Sequence, residues 1–202
     1  MKRALGAAIL AITLTTTTSA SAAPAVSPPG WQCGSTDGGN PRWTMEKDAS
    51  GGQVLQQSGK APYPWCVKPD VKLADGFVEV RFKSLAGKED QAGGVVWRWQ
   101  DGDNYYVARA NALENNVSLY YTKEGSRRTL LYVDAPVAAN TWHRLRVEFK
   151  GANIKVFLNG KRYIDTSDSR IASAGSVGVW TKADSVTAFD DFQSGMTKVG
   201  NP

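Results

Sequence analysis

The sequence predicts an all-β protein built as a two-sheet antiparallel β-sandwich, and three observations carry that reading. Runs of alternating polar and apolar residues recur about a dozen times at the even spacing of sandwiches and barrels. Clusters rich in Gly, Asn, Asp and Ser, such as QDGDN, ALENN, KEGS and NGKR, separate them and reverse the backbone. No segment shows helical periodicity with capping residues.

In chain order, Lys2 and Arg3 precede an apolar run from Leu5 to Leu14 and the small-residue stretch SASAA. This is the pattern of a secretory leader over residues 1–22, and the run is shorter than the roughly 20 residues a spanning helix needs. The expectation is an exported, soluble protein, periplasmic or extracellular, with no membrane span. Loss of Lys2 and Arg3, with no acid among residues 1–22, takes the formal charge from +5 to +3. That mild charge is interspersed and forms no polybasic block, so nucleic acid is not an expected partner.

Residues 23–39, with PAVSPPG, read as an extended tether before a sandwich spanning 40–195. WTMEKD and QVLQQS form a first hairpin turned by ASGG. KAPYPWCVKPD, with three prolines, reads as a packed loop carrying Trp65. FVEVRFK puts Val78, Val80 and Phe82 on one side, and Phe77, Glu79, Arg81 and Lys83 on the other. The stretch from Ala92 to Tyr132 reads as four strands joined by three turns. If DGD closes the first hairpin and ALE the second, Val95, Trp97, Trp99, Tyr105, Val107, Val117, Leu119 and Tyr121 share a core face. Val96, Arg98, Tyr106, Ala108, Ala110, Ser118 and Tyr120 then line the other, as a shallow, half-polar groove.

Past the Pro136 connector, WHRLRVEFK turns Leu145, Val147 and Phe149 inward. Asn159-Gly160 marks a tight hairpin. In SVGVWTK, Trp180 faces away from the row of Val177 and Val179, and VTAFDDFQ is the last strand. The tail 196–202 is polar and expected to be disordered. Cys33 and Cys66 are the only cysteines, and in an oxidising compartment an even pair bridges.

The run WHRLRVEFKGANIKVFLNGKRYIDT, followed by GSVGVWTKADSVTAFDDF, resembles the closing half of concanavalin A-like, laminin-G-like jelly rolls. With the upstream AGGVVWRWQDGDNYYVARANALENNVSLY, the chain looks closest to bacterial secreted 3-keto-disaccharide hydrolase-like domains over residues 40–193. The resemblance implies a concanavalin A-like jelly roll. It also implies an alternative activity on 3-keto-glycosides, in which Arg98, Arg109 or Lys182 polarises a carbonyl and Glu114 or Asp190 abstracts a proton.

Classical glycoside hydrolysis needs two carboxylates across the scissile bond. The laminarinase-type relatives of the fold carry them as E-x-D-x-x-E, a motif this sequence lacks. Glu79, Glu114, Glu148, Asp190 and Asp191 are scattered, and the last two point to opposite faces if their strand is regular. His143 is the sole histidine and reads as structural. Asp101-Gly102-Asp103-Asn104 resembles a calcium loop, but the glutamate an EF-hand needs at position 12 is Ala112 here, so the segment reads as an Asx turn; no cofactor is expected, and a structural calcium stays open without a motif to support it.

The aromatic inventory, seven Trp and seven Tyr, fits a sugar, whose C–H faces stack on flat rings. Arg98, Tyr106, Arg109, Tyr120, Trp180 and Lys182 are the candidate ligand-binding residues. Arg109 falls in register with the core face, as a buried, paired arginine would. Trp97, Trp99 and Trp142 read as core. The expected function is carbohydrate binding by a monomeric, lectin-like module. The alternatives are keto-glycoside turnover and a structural or interaction role without a small-molecule ligand.

Overall fold

The computed structural model describes residues 27–197. The expected leader, residues 23–26 of the tether and residues 198–202 of the tail lie outside them. The described chain runs through β1 (Gln32–Thr36), β2 (Trp43–Lys47), β3 (Gln53–Gln57), β4 (Tyr63–Leu73), β5 (Gly76–Ala86), β6 (Ala92–Asp101) and β7 (Asn104–Asn111). It continues through β8 (Asn116–Lys123), β9 (Ser126–Asp134), β10 (His143–Lys150), β11 (Asn153–Leu158), β12 (Lys161–Ser167), β13 (Gly175–Trp180) and β14 (Val186–Gly195). No helix occurs among the described residues, so none is long and apolar enough to cross a membrane.

Two seven-stranded antiparallel sheets face each other, in the orders β1-β4-β13-β6-β7-β8-β9 and β12-β11-β10-β5-β14-β3-β2. The core fills the space between them. Val78, Val80 and Phe82 of β5 and Leu145, Val147 and Phe149 of β10 meet Val95, Trp97, Val177 and Val179 of the first sheet. Burying each such side chain contributes roughly 1.5–3 kcal/mol. The Asn159-Gly160 turn has φ of 52° and 81°, the left-handed pair that suits the strand twist.

Two expectations at the N-terminal end are corrected. The tether contributes β1, an edge strand, so the sandwich begins before residue 40. The proline-rich segment is β4, an eleven-residue strand between β1 and β13. Its prolines are tolerated because the ladder does not need their missing N–H groups. Pro64 serves as an acceptor, taking the Thr181 N–H at 2.9 Å. Around Pro69, pairing with β13 lapses between Lys68 and Leu73, and pairing with β1 has already ended at Val67.

Cys33 and Cys66 are direct cross-strand partners on β1 and β4 and form the expected disulfide, with Cα atoms 4.0 Å apart. Replacing both by serine should lower unfolding free energy by roughly 3–4 kcal/mol on the chain-entropy estimate while leaving the β circular-dichroism spectrum intact. Chemical denaturation under oxidising conditions measures this, and an unchanged midpoint would show that β1 is held by its ladder alone.

Candidate functional site

The site depends on how β7 registers against its neighbours. Val95 pairs with Ala108 and Trp97 with Tyr106, whereas the hairpin closes at Asp101 and Asn104, so β6 carries extra residues between Trp97 and Asp101. Arg98 sits in that bulge with a φ of 46°. β7 is inverted relative to the expectation because the hairpin closes on two residues, Gly102 and Asp103, rather than three; the two extra residues of the bulge leave that parity unchanged. Tyr106, Ala108 and Ala110 point into the core, while Tyr105, Val107 and Arg109 point outward with Val96, Trp99, Tyr120 and Trp180.

The six expected ligand residues therefore separate. Arg98 turns to the end of the sandwich, donating to the carbonyls of Ala74 (2.9 Å), Ile171 (2.9 Å) and Gly151 (2.7 Å), with Asp75 at 3.5 Å. Tyr106 lies between the sheets, stacked on Trp97 at 5.3 Å; it donates to the Asp168 carboxylate and accepts the Ile171 N–H. Burial, with that bond to Asp168, pushes its hydroxyl up to about 12. Both are structural, and the groove in which they were to meet Trp180 does not exist.

Arg109, Tyr120, Trp180 and Lys182 do share the outer face of the first sheet. At one end Arg109 is buried as expected but directed outward, with Nη1 2.9 Å from Asp90 and Nη2 2.7 Å from Glu114. Its Nε donates to Tyr120 at 3.2 Å, and the Tyr120 hydroxyl donates to Tyr132 at 2.6 Å. Asp90, with no exposed side-chain surface, also accepts from Asn111 at 2.7 Å and sits 2.6 Å from Lys182 Nζ. Asn116 donates to Glu114 at 2.8 Å.

Two loops bring this cluster together. The Asp184 carboxylate accepts the backbone N–H groups of Lys88, Glu89 and Asp90 at 2.9, 3.0 and 3.1 Å. The turn after β13 thereby fixes the β5–β6 loop and sets Lys182 against Asp90. Burial would raise the Asp184 pKa, and those three backbone bonds outweigh it and hold it low.

Burial likewise acts against the Arg109 charge, and its neighbours Tyr120, Asp90 and Glu114 more than restore it. For Glu114, burial raises the pKa, but the Asn116 bond and the charges of Arg109 and Lys182 bring it below the usual value. Lys182, Glu114 and Tyr132 reach solvent, with side chains of Lys182 and Glu114 27% and 38% exposed.

The other end of this face is aromatic. Tyr63 stacks with Trp180 at 6.1 Å, Trp65 meets Trp99 at 4.9 Å, and the Tyr105 hydroxyl lies 2.8 Å from Thr36. Trp99 is buried as expected, but in this outer cluster rather than between the sheets. Trp142, also expected in the core, is half-buried with Arg81 stacked on it at 4.9 Å. Arg127 of β9 covers Tyr120, Tyr63 and Trp180.

The remaining candidates lie elsewhere. Asp190 is on the second sheet beside Arg81, so it cannot act with Glu114. Asp190 and Asp191 both reach Arg81 rather than opposite faces, because a bulge with φ of 50° at Asp191 breaks the alternation. His143 is buried, accepting from Asn159 at Nδ1 and donating from Nε2 to the Ala138 carbonyl. Asp101 Oδ1 caps Asp103 and Asn104, the expected Asx turn. No cluster of three or more metal-ligating side chains occurs among the described residues. A surface hollow of about 490 Å³ lies outside this face and is lined chiefly by charged strand residues such as Glu148, Lys150, Lys155 and Asp165.

Sequence reasoning missed Asp90, Arg127 and Tyr132. Asp90 sits in a loop with no periodic signal. Arg127 and Tyr132 belong to a recognisable strand whose face is fixed only by pairing with β8.

Arg109→Met should destabilise the fold by about 3–5 kcal/mol, because it leaves Asp90 buried without its main partner. Chemical denaturation measures it, and a loss below about 1 kcal/mol would contradict the buried-pair account. Glu114 has a folded-state pKa below its unfolded value of about 4.3. Its stabilisation is therefore complete above that pH and is lost as pH falls through the depressed folded value. Glu114→Gln should flatten the acid limb of the stability–pH curve; an unchanged limb would contradict the assignment.

The fold has solved counterparts. The carbohydrate binding module CBM66 from Bacillus subtilis aligns with a TM-score of 0.70 at 21% identity, covering 85% of this chain and 99% of that one. A Bacillus subtilis protein of unknown function with a galectin-like fold aligns at 0.62 and 11% identity, covering 83% and 90%. The Bacillus licheniformis beta-glucanase aligns at 0.59 and 15% identity, covering 85% and 94%. No curated protein matches the sequence. The two facing seven-stranded sheets form a jelly-roll sandwich like these. Over residues 27–193 the sequence matches the 3-keto-alpha-glucoside-1,2-lyase-like domain, and the chain belongs to that family.

Proposed function

We propose that the outer face of the first sheet binds a carbohydrate. The observation that carries this is the placement of Tyr132, 53% exposed and the only exposed aromatic among the described residues. Its ring meets Tyr120 edge-on at 5.7 Å, and its hydroxyl joins the chain of bonds from Arg109. A flat apolar ring thus stands beside fixed donors and acceptors on Glu114, Asn116 and Lys182, the combination a sugar's C–H face and hydroxyls require. The family and the carbohydrate binding module of like fold support the same reading.

Turnover of a keto-glycoside would need a free base, and Glu114 is doubly engaged with its basicity lowered. Binding is therefore the reading we favour over proton abstraction. We also assign the protein to the outside of the cytoplasm, supported by the leader-like N-terminus and the Cys33–Cys66 bridge, and take it to act as a monomer.

Tyr132→Ala should weaken binding on a glycan array by about tenfold without shifting the fold, and Lys182→Ala should do the same with some loss of stability, because it leaves Asp90 Oδ2 without its cation. Undiminished signal in both variants would remove the face from consideration. Incubation of the wild type with 3-keto-disaccharides should release no product; steady release would replace binding by catalysis.

A further inference from the structure

Of the four arginines of the first sheet, Arg98, Arg109 and Arg127 are satisfied unequally, and Arg128 is exposed. The guanidinium of Arg98 is filled by three carbonyls and Asp75, and that of Arg109 by Asp90, Glu114 and Tyr120. Arg127 lies over the rings of Tyr120 at 4.3 Å, Tyr63 at 4.6 Å and Trp180 at 5.7 Å. Among the described residues it forms no ion pair, and its Nη1 is buried without an acceptor.

Ring faces attract a guanidinium but leave its in-plane N–H groups without acceptors. The indole N–H groups of Trp65 and Trp99, on the same face, also lack acceptors. The nearby carboxylates of Asp90 and Glu114 are engaged by Arg109 and Lys182. This end of the face is rich in donors, carries an uncompensated positive charge and offers few acceptors. What complements it must supply negative oxygens in the plane of the guanidinium.

We propose that the saccharide bound by this face is acidic, its carboxylate or sulfate ester bonded to Arg127 while its ring lies toward Tyr132. This rests on the outer face being a sugar site. A planar guanidinium held flat by three rings is preorganised for such an oxyanion, and a neutral sugar would leave the charge unmatched.

The test is titration calorimetry of the protein with an oligogalacturonate, its methyl ester and a sulfated dextran oligosaccharide of similar length. The free acid or the sulfated sugar should bind at least about tenfold more tightly than the neutral ester, as expected of a charge-assisted bond. The stronger of the two identifies the oxyanion. Arg127→Met, which keeps the aliphatic cover, should abolish that preference and leave binding of the ester unchanged, while Arg127→Lys should keep part of it. Equal binding of acidic and neutral sugars, or a preference surviving in Arg127→Met, would overturn the proposal and leave the sugar site standing. Failure to bind any saccharide, charged or neutral, would overturn the sugar site and this proposal together. Should Arg127→Met fail to fold, the Arg127→Lys variant and the wild-type salt dependence decide: a preference insensitive both to that change and to salt would overturn the proposal.

Discussion

Arg98 sits in the left-handed region within a bulge, with its guanidinium bound by three carbonyls from separate segments. Backbone at that φ is unfavourable for a residue with a Cβ and persists only where surrounding contacts compensate. Here the contacts come from the β4–β5 turn, the β10–β11 turn and the segment before β13. Within β6 the bulge turns Arg98 to the end of the sandwich and moves Trp99 to the outer face, although Trp97 faces the core. The two-residue turn that pairs Asp101 with Asn104 sets the face of β7, so Arg109 points outward and the cluster around it follows.

The outer face is divided along its length. At one end a buried cation is surrounded by Asp90, Glu114 and Tyr120; the other is an aromatic cluster, with Arg127 over Tyr120, Tyr63 and Trp180. Burying charge is costly unless it is paired; Asp90 Oδ1 accepts from Arg109 and Asn111, and its Oδ2 faces the Lys182 cation at 2.6 Å. The Asp184 clamp on the β5–β6 loop places Asp90 there without a strand of its own. Rigid aromatic packing at one end and a closed ionic network at the other leave only a few side chains facing solvent.

Much of the fold could be read from alternation. FVEVRFK and WHRLRVEFK place Val78, Val80, Phe82, Leu145, Val147 and Phe149 in the core as expected, and Asn159-Gly160 turns its hairpin. Trp180 faces away from Val177 and Val179, as the pattern required. Alternation failed at two bulges and at the turn between Asp101 and Asn104, which closes on two residues where three were expected. The bulges at Arg98 and Asp191 leave no compositional mark, since neither contains the glycine that would advertise a left-handed backbone. The prolines of β4 misled for the opposite reason: they signal a break, yet the ladder loses pairing around Pro69 without ending the strand. Within the candidate site, Arg109, Tyr120, Trp180 and Lys182 were legible as a group. Asp90 and Arg127 were not, because their importance lies in contacts between segments distant in sequence.

Strand β9 lies at the rim of the first sheet, paired only with β8, and carries both Arg127 and Tyr132. Their neighbours Arg128, Thr129 and Leu131 are exposed, and the inter-sheet core draws little on this strand. Mutation can therefore exchange the contact surface one side chain at a time while the folded body remains unaffected. Because side chains along this margin can be exchanged at small thermodynamic cost, the chemistry of the outer face is separable from the stability of the sandwich.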